Sequence, residues 1–165
     1  KPIGGCIACM SCRSTGKCVF DDVVNQIRKK CEEADGFIFG SPVHYAAASG
    51  NMTAFMDRLF YSAGSTFYMK PAACVLSARR AGTTAAFDQL MKYFTISQMP
   101  VVSSRYWNMV HGAAPEQVAE DKEGLLTMRM LGRNMAYMLK CLEAGKQAGV
   151  KLPEKEELVF TNFIR

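Results

Sequence analysis

Two rhythms of apolar and polar positions alternate along the chain. Three short stretches are apolar with little interruption: GFIFG (36–40), AACVLSA (72–78) and PVVSS (100–104). Continuous apolar runs of this length, set off by glycine, proline or charge, predict strands covered on both faces. Between them apolar residues recur every three or four positions, the period of an amphipathic helix. Asp21 and Asp22 stand where they can cap a helix through about Glu33, with Val23, Val24, Ile27 and Cys31 on one face. NMTAFMDRLFY (51–61) reads as a second helix and 84–98 as a third. A long helix over 122–145 carries Leu125, Met128, Leu131, Met135, Met138 and Leu142 on one stripe. Its methionines read as packing residues rather than ligands, and Gly132 predicts a close helix contact. SPVHYAAASG (41–50), RRAGTT (79–84) and WNMVHGAAPE (107–116) read as loops.

Helices alternating with short apolar strands predict an α/β fold built on a parallel sheet. With 165 residues the chain is expected to form one domain, residues 1–165, with a real core. Three strands are few for such a sheet, so the strands that would precede residue 1 are expected to be missing from this sequence.

Charge narrows the function classes. The net charge of +5 comes from 20 Lys and Arg against 15 Asp and Glu, scattered rather than in blocks. Neither Arg28-Lys29-Lys30 nor Arg79-Arg80 is long enough to read as a nucleic-acid tract, so no nucleic-acid partner is expected. No apolar run approaches the roughly 20 residues of a membrane span, so no membrane partner is expected either. Cys31, Cys74 and Cys141 fall in apolar or helical stretches and read as buried free thiols, which fits a reducing cytoplasm.

In an open parallel sheet, ligands bind beyond the carboxyl ends of the strands. Two loops leave strands at that edge. One offers Ser41, His44 and Tyr45 beside the rigid Pro42. The other offers Gly82, Thr83 and Thr84 at a helix start, where backbone N–H groups and the helix dipole favour negative charge. A planar, partly anionic ring such as a flavin suits this place, with Arg79 and Arg80 near its charged edge. His44, Tyr45 and the arginine pair equally suit plain surface turns or core positions, and only the coincidence of two such loops favours a ligand. The P-loop, dinucleotide, zincin and nucleophile-elbow motifs are absent.

Cys6, Cys9, Cys12 and Cys18 follow the pattern C-x2-C-x2-C-x5-C within the loop 6–18. Structural zinc sites usually pair two C-x2-C knuckles across a longer gap. Successive steps of three with a fourth cysteine soon after are closer to a ferredoxin-type ligand run. A [4Fe–4S] cluster, zinc and free or disulfide-forming thiols all stay open on spacing alone.

Taken together, CIACMSCRSTGKC, GFIFGSPVHYAAASGNMTAFMDR, SARRAGTT and YWNMVHG resemble the flavodoxin-like NAD(P)H-dependent FMN reductase family, and within it the iron–sulfur flavoprotein branch. The resemblance covers nearly the whole chain. It implies a flavodoxin-like, three-layer, doubly wound parallel sheet that binds FMN without a covalent link. It also implies that the first strand, helix and second strand, with their phosphate loop, lie outside this sequence. Carried over residue by residue, it marks Ser41, Pro42, Val43, His44 and Tyr45, then Ala78, Arg79, Arg80, Gly82 and Thr83, as flavin contacts. Cys6, Cys9, Cys12 and Cys18 become cluster ligands. Trp107, Asn108 and His111 are left between flavin contact, subunit contact and loop shaping.

The activity implied is a cytoplasmic oxidoreductase. It would pass electrons from NAD(P)H or a ferredoxin-like protein through FMN, with or without the cluster, to an acceptor that the sequence does not name. Homodimers or homotetramers are implied as well. The competing expectations are an electron-transfer flavoprotein without turnover of its own and a zinc-stabilised interaction domain.

Overall fold

The computed structural model describes residues 2–161 and 163. Its core is a parallel sheet of β1 (Phe37–His44), β3 (Ala72–Ala78) and β4 (Met109–His111), with β2 (Ala47–Ala48) turned back antiparallel on the end of β1. The helices are α1 (Ser11–Thr15), α2 (Val23–Glu33), α3 (Gly50–Ala63), α4 (Thr83–Ile96), α5 (Pro115–Glu120) and α6 (Lys122–Gln147). A 3₁₀ turn over Gly64–Phe67 follows α3.

The central strand β3 shows why the sheet needs two helical layers. Ala72, Cys74 and Leu76 face a large core with Met56, Leu59, Leu90 and Phe94 from α3 and α4. Ala73 and Val75 face the other way, onto Val102 and the α6 residues Leu131 and Met135. Successive strand residues point to opposite faces, so an uninterrupted apolar run is the signature of cover on both sides. Phe39, Phe60, Phe67 and Phe94 interlock in the larger core, with Phe60 and Phe67 stacked at 4.3 Å between ring centroids.

Several expected features differ in the structure. The first strand continues past GFIFG through SPVH, because Ser41 and Pro42 stay in register with Leu76 and Ser77. Pro42 is tolerated there because its carbonyl points to the outer edge, where it accepts from the Ser49 N–H, so no donor is needed from its nitrogen. PVVSS contributes only one bridge, Val101 to Ala72. The ladder resumes at Met109–His111, within a stretch that reads as loop, opposite Leu76–Ala78. The third parallel strand is thus broken by an excursion that carries Tyr106 and Trp107 into solvent.

Among the expected core residues, Val24 and Cys31 are buried and Val23 is exposed, since it opens α2 beside the buried stripe. Leu131 and Met135 are buried in α6. Cys141 and Leu142 are exposed, lying beyond the last buried residue of that helix. Gly132 has open space over its Cα, because it lies off the Leu131–Met135 stripe, so no helix packs against it.

Candidate functional site

The two ligand loops expected from the sequence meet in space. β1 ends at His44, and a tight turn through Tyr45 and Ala46 leads into β2. Ala46 donates its N–H to the His44 carbonyl at 2.9 Å, and Tyr45 takes a left-handed backbone with φ 62°. The Tyr45 side chain is fully exposed, at 108% of its reference area, which settles its place outside the core. Ser41 is buried: its hydroxyl donates to the Pro42 carbonyl at 2.8 Å and accepts from the Ser49 N–H at 3.0 Å. Ser41 therefore holds the hairpin closed rather than facing a ligand. Pro42 and His44 lie on the exposed face of the strand, with Val43 half-buried between them.

The second loop reaches the first through Gly82. Its backbone has φ +89°, and a Cβ placed on it would come within 2.8 Å of Val43 Cγ1 and 3.5 Å of the Ala46 carbonyl oxygen. Gly82 opens α4 with no side-chain cap. The N–H groups of the first turn, Thr83 included, thus lack the partner that a capping residue would supply. Uncapped donors at the positive end of a 14-residue helix suit an electron-rich ring edge or another anionic group. Thr83 is buried, while Arg79 and Arg80 are exposed on the turn and, among the described residues, in no ion pair. Ala78 is buried and accepts from the Gly112 N–H at 3.0 Å, which ties β4 to the same sheet edge.

The three residues left without a role separate. Asn108 is buried and structural. Its carbonyl accepts from the Leu76 N–H at 2.9 Å, and its Oδ1 accepts from the Ser104 hydroxyl at 2.7 Å. His111 donates its backbone N–H to Asp121 Oδ2 at 2.7 Å, and Asp121 Oδ1 accepts from the Gly124 N–H. Those two N–H groups hold the Asp121 carboxyl below the usual carboxylate range. Trp107 is exposed and packs at 4.8 Å against Tyr106.

The cysteine loop forms a second candidate site. Cys6, Cys9, Cys12 and Cys18 all line one small cavity of about 30 Å³, whose walls are mainly apolar: Ile7, Met10, Val19 and Phe20, with Arg58 and Tyr61. Ala8 and Met10 adopt left-handed backbones, φ 52° and 55°, which curl the loop over the cavity. Cys12 lies in the one-turn α1, closed by Gly16, whose N–H donates to the Cys12 carbonyl. Asn25 clamps Cys18, accepting from its N–H at 2.9 Å and donating to its carbonyl at 3.0 Å.

Two donors already point at sulfur: the Ala8 N–H to Cys6 Sγ at 3.4 Å and Arg58 Nε to Cys18 Sγ at 3.2 Å. An all-sulfur donor set with N–H groups aimed at it fits a thiophilic group and not magnesium or calcium. Among the described residues, no three Cys, His, Asp or Glu side chains are placed to hold one ion.

The residue that sequence reasoning missed is Arg58. It is 2% exposed, in the middle of α3, and every one of its donors is engaged. Its signal was available: Arg58 lies between Met56 and Leu59, within the buried stripe of α3. A charge on such a stripe needs a dedicated partner.

Comparisons with known proteins bear on the family and the fold. The sequence pattern of the family described as NADPH-dependent FMN reductase matches residues 3–114. An iron–sulfur flavoprotein of Methanocaldococcus jannaschii is 33% identical over 151 residues, covering 87% of this chain and 78% of its own. Among solved structures, RosB with bound 8-demethyl-8-formylriboflavin-5′-phosphate superposes with a TM-score of 0.55 at 15% identity, over 89% of this chain and 67% of its own. An oxidoreductase from Corynebacterium diphtheriae gives a TM-score of 0.54 at 18% identity, over 74% of this chain and 65% of its own. These structural likenesses establish the α/β flavodoxin-like fold. With the matched pattern spanning both converging loops and the cysteine run, the chain belongs to the NADPH-dependent FMN reductase family.

Proposed function

We propose that this chain is an FMN-dependent oxidoreductase that carries electrons from NAD(P)H or a reduced redox protein to an acceptor, using a [4Fe–4S] cluster held by Cys6, Cys9, Cys12 and Cys18. The single observation that carries the flavin half is the meeting of Gly82 with the Val43–Ala46 hairpin beside the uncapped start of α4. The family membership and the iron–sulfur flavoprotein relative support the reading. FMN supplies the switch between two-electron and one-electron chemistry.

The residues of the chain supply position and electrostatics. The N–H groups at the start of α4, Thr83 among them, would hold the electron-rich part of the flavin, and Arg79 and Arg80 would add positive charge nearby. Pro42, Val43, His44 and Tyr45 form a wall from the hairpin, which Ser41 holds shut from inside, and Ala78 and Gly82 let the backbone approach. No side chain is required as acid or base. The cysteine loop hangs on α3, whose first turn begins at the hairpin. Arg58 lies eight residues further, about 12 Å along the axis, so one helix links the two sites.

Residues 1–165 act as one flavin-binding domain with the cysteine loop as its insert. Exposed Tyr45, Tyr106 and Trp107 support a homodimer or homotetramer in which another subunit covers apolar surface. Among the described residues no helix is long and apolar enough to cross a membrane.

The deciding measurement is an anaerobic absorption spectrum of the full-length protein, with iron, acid-labile sulfide and zinc assays and a rate of NAD(P)H oxidation. Flavin bands with iron and sulfide are expected, and Cys9→Ser is expected to remove the iron while leaving FMN bound. Flavin without iron would strike out the cluster. A bound flavin that oxidises no NAD(P)H would make the protein an electron carrier, and a colourless zinc protein would overturn the whole reading.

A further inference from the structure

Among the described residues, Arg58 is the one buried cation that touches a cysteine of the loop. Its Nε donates to Cys18 Sγ at 3.2 Å. One terminal nitrogen donates to the Gly4 carbonyl at 3.2 Å and to Asp22 Oδ2 at 2.8 Å. The other donates to Asp22 Oδ1 at 2.8 Å and to the Phe20 carbonyl at 3.4 Å. All five N–H donors of the guanidinium are therefore used, and four of the five bonds run to Gly4, Phe20 and Asp22, which flank the cysteine loop. The Phe20 ring lies 4.9 Å below the guanidinium carbon.

A pin for the loop would need no sulfur contact, and a counter-charge for Asp22 would need no burial. Asp22 is itself partly exposed and accepts from the Val24 N–H at the start of α2, so it has support without Arg58. The arrangement instead places a fixed positive charge, and a donor, directly on one sulfur inside an apolar wall. Hydrogen bonds to cluster sulfurs and local net charge are the protein's levers on an iron–sulfur potential.

We propose that the Arg58–Asp22 pair sets the reduction potential of the group bound by the four cysteines, Arg58 raising it and Asp22 tempering the rise. The proposal rests on the cluster reading above. Reduction adds one electron, and so one negative charge, to the cluster and its thiolates. A guanidinium bonded to Cys18 Sγ stabilises that added charge, and the Asp22 carboxylate across the guanidinium offsets part of the effect. The two residues should therefore act with opposite signs, which a purely structural role does not predict. Arg58 is a positioning and tuning residue and does not touch substrate.

The test is a redox titration of the anaerobically purified, full-length holoprotein with dithionite and mediator dyes, followed in the visible bands. Arg58→Gln is expected to lower the midpoint, with the reduced-to-oxidised ratio at a given potential falling about tenfold, which is about 59 mV for a one-electron couple. Asp22→Asn keeps the helix cap and removes the carboxylate charge, so its midpoint should rise. Arg58→Lys keeps the charge without the Nε–H donor and should fall between Arg58→Gln and wild type. If Arg58→Gln does not fold or load iron, the other two variants decide by the same signs. Midpoints equal to wild type in iron-loaded variants, or Arg58→Gln and Asp22→Asn shifting the same way, would overturn the proposal alone. A wild-type protein without iron and sulfide would overturn the cluster reading and the proposal with it.

Discussion

Gly82 is seated against Val43 so closely that a methyl group in place of its hydrogen would lie 2.8 Å from Val43 Cγ1. The same glycine holds φ at +89°. The turn after β3 can therefore touch the hairpin after β1 only while this position has no side chain. Contact between these two loops is what turns two separate strand ends into one concave edge.

Gly82→Ala should accordingly damage both the fold and the proposed flavin site. A left-handed alanine and an overpacked contact together cost roughly 2–4 kcal/mol, or several degrees in Tm for a chain of this size. FMN content after purification should fall as well. Gly16→Ala is the control, since Gly16 is also left-handed, at φ +67°, but its nearest neighbour is the Arg28 guanidinium at an ordinary 3.7 Å. It should cost about 1 kcal/mol and leave flavin content unchanged. Equal flavin loss in both variants would show that stability, not loop contact, governs binding.

Asp121 joins β4 to α6 by accepting from His111 and Gly124, and Asn can satisfy only one of those donors with its single carbonyl oxygen. Asp121→Asn should lose about 1–2 kcal/mol near neutral pH. Its pH dependence follows from the lowered carboxyl. Because the folded state holds the proton less tightly than the unfolded one, this stabilisation is present above about pH 4 and is lost as pH falls through the folded value. Urea midpoints measured from pH 2 to 6 should drop less steeply in the variant. Parallel curves would assign the acid sensitivity elsewhere.

Tyr93 on α4 donates its hydroxyl to Asp57 on α3, and burial followed by that carboxylate raises the phenol well above its ordinary value. Its folded value exceeds its unfolded one, so the stabilisation is complete below about pH 10 and is lost as pH rises beyond it. Spectrophotometric titration should show one of the six tyrosines ionising only with alkaline unfolding. Tyr93→Phe should remove that late step and cost about 1 kcal/mol at neutral pH.

Legibility in the sequence followed the range of the interactions. β3 was readable to the residue, because its double cover leaves an unbroken apolar run, AACVLSA. β1 was underestimated because Pro42 reads as a stop, and only the outward direction of its carbonyl, toward Ser49, makes it acceptable. Met109–His111 is a three-residue strand that pairing with Leu76–Ala78 creates, and no local run of that length can announce it. The loops after β1 and β3 were readable from composition, whereas their contact through Gly82 and Val43 was not, since it depends on the parallel register of β1 and β3. Arg58 bonds partners 36 to 54 residues away, so its place on an apolar stripe was visible and its purpose was not.

The thiols offer a last separation between core and site. Burial pushes Cys74 up to about 12 and raises Cys31, whereas Cys6, Cys9 and Cys141 are exposed. In native protein stripped of bound groups, a thiol reagent should therefore reach Cys6, Cys9 and Cys141 quickly, and Cys31 and Cys74 only on unfolding. Cys74 also makes an alkaline prediction, because its folded value lies above the unfolded one. Its stabilising share is whole below about pH 8.5 and falls by up to about 1.4 kcal/mol per pH unit from there toward pH 12. Cys74→Ala should lose stability at pH 7 through the cavity it leaves, yet decline more gently in Tm between pH 8.5 and 11 than wild type. If the two profiles fall in parallel, Cys74 ionisation does not drive the alkaline transition.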